Sequence, residues 1–341
     1  MNLRLPAEWE PQDGVLLSWP HADSDWGDSL DAVQPVFVRL AQEISQVAQG
    51  VIVCPDIDMV REQLGRAGVD LARIALIPLP ANDTWTRDFG PITVLEDGRP
   101  VLLDFGFNGW GLKFPANFDN QVTTRLARFG IWGNTPVRTP GLILEGGSID
   151  SDGKGTLLTT SSCLLNPNRN PHLNRQQIEE RLNHLLGSRH ILWLENGYLA
   201  GDDTDAHIDT LARLCPDDTI AYVRCDDPGD EHFKALSAME TELQAFRTID
   251  GRPYRLVPLP WPAPCFAEDG HRLPATYANF LVINGAVLVP TYRLPQDDAA
   301  LRTLRRVFPQ HTITGIDCRP LIEQHGSLHC VTMQLPKGVL P

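Results

Sequence analysis

The chain has 341 residues, 42% hydrophobic and 21% charged, with a formal net charge of −14. This composition supplies a sizeable core and excludes a disordered chain, while the acidic surface, with no Lys/Arg run longer than two residues, repels a phosphate backbone and excludes nucleic acid as a partner. No apolar run approaches the roughly 18 residues of a membrane span, and the start of the chain, with Pro6, Glu8 and Trp9, lacks the basic-then-apolar pattern of a signal peptide.

In chain order, a β-type segment over Gly14 to Trp19 precedes a helical pattern over Asp31 to Gln49, where Val36, Leu40, Ile44 and Val47 recur near helical spacing. Further β-type segments follow at Gly50 to Cys54 and Ile74 to Leu79. A hairpin is expected over Ile92 to Leu103, turning at Asp97 and Gly98, and a second over Ile143 to Thr159, turning at Asp152 and Gly153. A helix over Asn174 to Leu186 leads to strands at Ile191 to Leu194 and Ile220 to Arg224. Next come a helix over Asp230 to Phe246 and a strand at Arg255 to Leu259. A third hairpin, Phe280 to Pro290 with its turn at Asn284 and Gly285, a helix over Asp297 to Val307 and a strand at Thr312 to Ile316 complete the series. Strand pair, helix, strand is the recurring order. It predicts an α/β fold in one domain spanning 1–341 and permits a ring of small units.

Four segments carry groups capable of chemistry. Asn82 to Pro91 reads N-D-T-W-T-R-D-F-G-P and offers Trp85, Arg87 and Asp88 on a loop after a strand; the bland reading is a capped turn with an Arg87–Asp88 surface pair. Leu144 to Gly155 reads L-E-G-G-S-I-D-S-D-G-K-G, where Gly146 and Gly147 either expose Glu145 at the mouth of a site or merely shape a bulge. Gly201 to Asp209 reads G-D-D-T-D-A-H-I-D, and on a strand His207 and Asp209 would share a face. A metal site is the rival reading of that acidic stretch, although it matches neither the twelve-residue calcium loop nor HExxH. His325 to Gln334 reads H-G-S-L-H-C-V-T-M-Q and sets Cys330 beside His329; most cysteines are inert core residues, and nearby positive charge or amides are what make one reactive. The seven cysteines form no CxxC pair, which points to a reducing compartment and a cytoplasmic protein.

Taken together these segments resemble the agmatine deiminase family, relatives of the bacterial peptidylarginine deiminases in the guanidino-group-modifying, or pentein, superfamily. The resemblance runs from E-W-E-P-Q-D-G-V-L-L-S-W-P at Glu8 to Pro20 through W-T-R-D-F-G-P, L-E-G-G-S-I, C-L-L-N-P-N-R-N-P at Cys163 to Pro171, H-I-D and Y-A-N-F-L-V-I-N-G at Tyr277 to Gly285. It ends on L-H-C-V-T at Leu328 to Thr332. It implies a five-bladed, pseudo-symmetric α/β propeller of ββαβ units with the active site on the pseudo-fivefold axis. It also implies Cys330 as nucleophile, His207 as proton carrier and Asp88 and Asp209 as guanidinium-binding acids. Trp85 would pack on the substrate chain, Glu145 would lie near the guanidinium and Asn279 on the central wall.

The implied reaction is hydrolysis of agmatine to N-carbamoylputrescine and ammonia through a covalent thiouronium, a step of putrescine and polyamine biosynthesis. It needs no metal and no cofactor. Its partner is a small cationic guanidine, and a homo-oligomer is compatible with it. The distal ammonium of agmatine is expected near Asp202 and Asp205. Two departures bear on the substrate: Asp205 and Ala206 stand where many relatives read N-G before the histidine, and His325 and Ser327 interrupt the usual glycine run before the cysteine. Deimination of arginine or peptidyl-arginine, an Asp/His metal-dependent hydrolase and a non-catalytic binding protein are the alternatives.

Overall fold

The computed structural model describes residues 2–341. Five ββαβ units build it, and in each the first strand runs antiparallel to the second while a helix carries the chain back to a third strand parallel to the second. The first unit is closed by the end of the chain: Met333–Pro336 lies antiparallel to Gln12–Ser18, which is parallel to Gln49–Cys54 after the helix Leu30–Val47. The second pairs Ile92–Glu96 with Arg99–Leu103 and Val137–Arg138, around the helix Val122–Arg128. Ile149–Ser151, Thr156–Thr160 and His190–Leu194 make the third, with the helix Arg175–Leu186. Ala212–Cys215, Thr219–Val223 and Arg255–Leu259 make the fourth, with Phe233–Ala245. Leu281–Ile283, Ala286–Thr291 and Thr312–Asp317 make the fifth, with Asp297–Val307.

Helix sequences explain how the sheets are covered. Leu30–Val47 buries Val33, Phe37, Leu40, Ala41 and Ile44, one stripe at helical spacing. Arg175–Leu186 starts on a capping box between Asn174 and Gln177 and stops at Gly187, whose φ of 70° suits a residue without Cβ. Full burial on both faces makes the middle strands continuous apolar runs; every residue of Thr219–Val223 is buried.

Every strand named from the sequence is present, and the four helical patterns lie within two to three residues of their observed limits. Short inner strands escaped notice, among them Ala212–Cys215 and Met333–Pro336, because three or four residues are too few to show a period. The hairpin between Ala212–Cys215 and Thr219–Val223 was hidden for another reason: its turn holds Asp217 and Asp218 at φ 57° and 50°, without the usual glycine. Among the described residues no helix is long and apolar enough to cross a membrane.

Candidate active site

Each unit sends one polar side chain to a common centre from the segment that enters its first strand. Asp88 precedes Ile92, Glu145 precedes Ile149, Asp209 precedes Ala212, Asn279 precedes Leu281 and Cys330 precedes Met333, an offset of two to four residues in every case. Repetition of the unit therefore repeats the position, and the ring gathers five residues far apart in sequence about its centre.

Backbone ties fix these segments to one another. Asp88 sits in the helical turn Thr86–Phe89, where Thr86 Oγ1 donates to the carbonyls of Leu16 (3.1 Å) and Val331 (2.9 Å), and Arg87 N donates to Cys330 O (3.1 Å). Gly147 N donates to Asp88 Oδ1 (3.0 Å), and Trp110 Nε1 to Asp88 Oδ2 (3.0 Å). Gly147 has to be glycine: a Cβ there would lie 2.7 Å from His207 Nδ1, 2.8 Å from Asp88 Oδ1 and 3.1 Å from Asp209 Oδ2. That single point also locates the three side chains against one another. His207 Nδ1 is 3.6 Å from Asp88 Oδ1.

Asn279 holds the nucleophile candidate. Its Oδ1 accepts from His329 N (2.8 Å) and Cys330 N (3.3 Å) and lies 3.4 Å from Cys330 Sγ, which is 3.9 Å from Asp209 Oδ2. Behind the cysteine, His329 bridges two carboxylates, Nδ1 to Asp209 Oδ2 (2.8 Å) and Nε2 to Glu8 Oε2 (2.6 Å). Glu8 also receives Arg213 Nη2 (2.9 Å) and Val282 N (2.7 Å).

Some buried atoms in the centre have no partner among the described residues: Asp209 Oδ1, Glu145 Oε2 and both ring nitrogens of His207. A buried polar group without a partner costs free energy comparable to a lost hydrogen bond, so such atoms gathered around a thiol are suited to receive a ligand rich in N–H donors. Electrostatics agrees. Burial, reinforced by Asp209 and Glu145, pushes the Asp88 carboxyl well above its ordinary range. Burial would raise Asp209 too, but its hydrogen bond and charge contact with His329 outweigh it and hold the carboxylate below its usual value. Burial pushes His207 down to about 3 and leaves the imidazole neutral. Burial, with Asp209 and Asp88, raises the Cys330 thiol well above its ordinary value.

A cleft of about 470 Å³ reaches this centre, with Trp85, Asp88, Trp110, His325 and Cys330 on its walls and Asp25, Asp83 and Asp203 on its polar side. A second cavity, of about 600 Å³, lies across His329 and is lined by Glu8, Arg87, Asp150 and Met333 without touching Cys330. Of the two, the first opens on Cys330.

Several sequence expectations need correction. Glu145 is not at a mouth; it is fully buried and bound to Arg169 Nε at 2.7 Å. Arg87 and Asp88 are buried, not a surface pair. His207 precedes and Asp209 lies within a 3-10 turn, Ile208–Thr210, instead of alternating on a strand, and both side chains are buried. Asp202 and Asp205 do not face the cleft: Asp202 accepts from Thr204 and Ala206, and Asp205 binds Arg169 and Lys113. These contacts occupy the carboxylates of Asp202 and Asp205, two of the four acids of the Asp202–Asp209 stretch. Of the departures, His325 lines the cleft, whereas Ser327 turns away to Tyr292 (2.8 Å).

Glu8, Arg213, Asp150, Arg169 and Trp110 went unmarked in the sequence. A glutamate or arginine inside an apolar stretch, such as Glu8 beside Trp9 or Arg213 in the buried strand Ala212–Cys215, is the signal that could have found two of them.

A family model described as Porphyromonas-type peptidyl-arginine deiminase matches residues 4–336. An agmatine deiminase of Pseudomonas aeruginosa (strain LESB58) is 34% identical over 358 residues, covering 98% of this chain and 96% of that protein. Among solved structures, a putative arginine deiminase from Porphyromonas gingivalis is 50% identical with a TM-score of 0.95, covering 99% of this chain and 100% of that one. A C. jejuni agmatine deiminase with substrate bound is 39% identical with a TM-score of 0.91, covering 99% and 97%.

Proposed function

We propose that this chain, which belongs to the Porphyromonas-type peptidyl-arginine deiminase family, is an agmatine deiminase, a hydrolase acting on a C–N bond of a linear amidine. The observation that carries the reading is the set of unpartnered buried groups at the centre, Asp209 Oδ1 on the carboxylate beside Cys330, the His207 ring next to Asp88, and Glu145 Oε2 on the far side of His207. A guanidinium is planar, cationic and rich in N–H donors, the complement of such a set.

The pKa directions supply an order of events. Without substrate the thiol is protonated and the imidazole neutral. A cation seated between Asp88 and Asp209 offsets the negative charge that holds the thiol proton, so Cys330 ionises against bound substrate. His207 takes that proton. The thiolate adds to the guanidinium carbon, His207 returns the proton to the departing nitrogen, and ammonia leaves a covalent S-alkylthiouronium. His207 then accepts a proton from water as its oxygen attacks the same carbon; the C–S bond breaks and the ureido product leaves. Asn279 orients the sulfur, and Trp85 provides an apolar wall for the methylene chain.

Agmatine is favoured over arginine by the cleft itself. It is lined by Asp25, Asp83 and Asp203, with no lysine or arginine among its lining residues. A distal ammonium finds partners there; an α-carboxylate meets like charge. The test is a ureido-product assay on the purified protein with agmatine, arginine and a benzoyl-arginine ester. Greatest turnover on agmatine is expected, and greatest turnover on arginine, or none on any of the three, refutes the assignment.

A further inference from the structure

Cys163 belongs to the C-L-L-N-P-N-R-N-P segment and has no part in the reaction above. It lies fully buried in the helical turn Ser161–Leu164, whose start is capped by Thr160, and Thr160 Oγ1 also donates to Ala206 O (2.7 Å), the residue before His207. That tie brings the thiol to the far side of the reaction centre. One donor atom each from Glu145, Cys163 and His207 lies within 4.8 Å of the others. Of these, Glu145 Oε2 and both ring nitrogens of His207 have no protein partner and are buried.

We propose that Glu145, Cys163 and His207 form a binding site for a thiophilic divalent cation of the Zn²⁺ or Cd²⁺ type, and that occupation switches the enzyme off by engaging His207. One thiolate, one imidazole and one carboxylate are a donor set that zinc takes, with bonds of about 2.0–2.3 Å, and a fourth position is left for water. Donors spaced as here reach that range with small side-chain adjustments. The thiol selects against Mg²⁺ and Ca²⁺, which prefer oxygen. Binding releases the thiol proton to solvent, and the carboxylate of Asp209 beside His207 favours the incoming cation against the opposing Arg169 on Glu145 Oε1.

The site stands on these contacts and not on the identity of the substrate, so its main test needs no turnover. Cadmium is titrated into the full-length protein while the ultraviolet thiolate-to-cadmium charge-transfer band is followed. One equivalent is expected for the native chain and for Cys330→Ser, with at least ~10-fold weaker binding in Cys163→Ser and in His207→Asn. A band that survives in Cys163→Ser, or vanishes in Cys330→Ser, places the metal on another thiol and overturns the proposal, as does a native chain that binds none. Should Cys163→Ser fold poorly, Cys163→Ala and His207→Asn give the same reading. In the ureido assay Zn²⁺ inhibits the native protein, and Cys163→Ser keeps its basal turnover while needing at least ~10-fold more Zn²⁺ for the same inhibition. Equal sensitivity of the two refutes the inhibitory role.

Discussion

On one side of His329 the charges are paired, with Arg87 Nη2 alone left at 3.6 Å from Glu8; on the other, several groups have no partner. Glu8, Arg213 and Asp150 answer one another: Arg213 gives Nη2 to Glu8 (2.9 Å), Nε to Asp150 (3.2 Å) and Nη1 to Phe280 O (2.6 Å), while Asp150 Oδ2 also accepts Leu214 N (2.7 Å). Around His207 and Asp209, the same kinds of group, equally buried, leave Asp209 Oδ1, Glu145 Oε2 and the His207 ring without partners among the described residues. Burial and composition do not separate the two regions. The extent of pairing does: a nearly complete network fixes the junction of the units, and one left open at several groups is suited to a ligand.

The largest effect that can break this comparison is on the open side. Cys330→Ser should lower turnover by at least ~10⁴-fold, because an oxygen of ordinary serine acidity cannot ionise against the bound cation. Its thermal stability should stay within about 1 kcal/mol of native. Calorimetry beside the ureido assay checks both, and a large loss of stability would mean that the open side is structural after all.

Glu8→Gln probes the closed side and should behave the other way. Removing one charge leaves Arg213 and His329 buried against a neutral amide, which should cost about 3–5 kcal/mol in chemical denaturation. A near-neutral result would show that the saturated cluster does not hold the units together.

pH sharpens the contrast. His207, held neutral with a pKa near 3 against an ordinary 6.5, binds fewer protons folded than unfolded between those values. Stability is therefore unaffected by this group above about pH 6.5 and falls as pH drops through the window. At about pH 4 the imidazole should account for roughly 3 kcal/mol of that fall. Asp88, with its raised pKa, acts in the opposite sense, so the comparison of native with His207→Asn isolates the imidazole. The variant should show a flatter acid limb in pH-dependent melting; parallel curves would contradict the neutral assignment.

The smallest effect concerns backbone strain beside the open side. Asp205 and Ala206 both take left-handed φ, 68° and 66°. Asp205 is held by its side chain on Arg169 and Lys113, whereas Ala206 is held by its backbone alone, N–H to Asp202 and carbonyl from Thr160, bonds that a glycine would keep. Ala206→Gly should raise stability by about 1 kcal/mol, less the extra freedom it gives the unfolded chain, with turnover unchanged. A drop in melting temperature would show that the alanine methyl packs better than its φ suggests.

Much was legible beforehand, and the reasons differ by residue. Strands such as Ile220–Arg224 and helices such as Asp297–Val307 show in the sequence because a period of two or 3.6 residues is a local property. Cys330, His207, Asp88 and Asp209 were identified through short ordered motifs, in which a reactive group sits next to the glycine or strand that presents it. Orientation was not legible: the H-I-D segment reads as a strand and is a 3-10 turn. Asp202 and Asp205 read as free acids and are occupied by partners 35 or more residues away, or by their own loop.

The sequence alone determined the local periods, the apolar runs that must be buried, and the acid, imidazole and thiol types available for chemistry. Only the ring decided which of those groups meet, since the site is assembled from one segment per unit across the whole chain. It also decided which charges are left unpaired, because pairing depends on contacts such as Glu8 with His329, 321 positions apart, that no local pattern encodes.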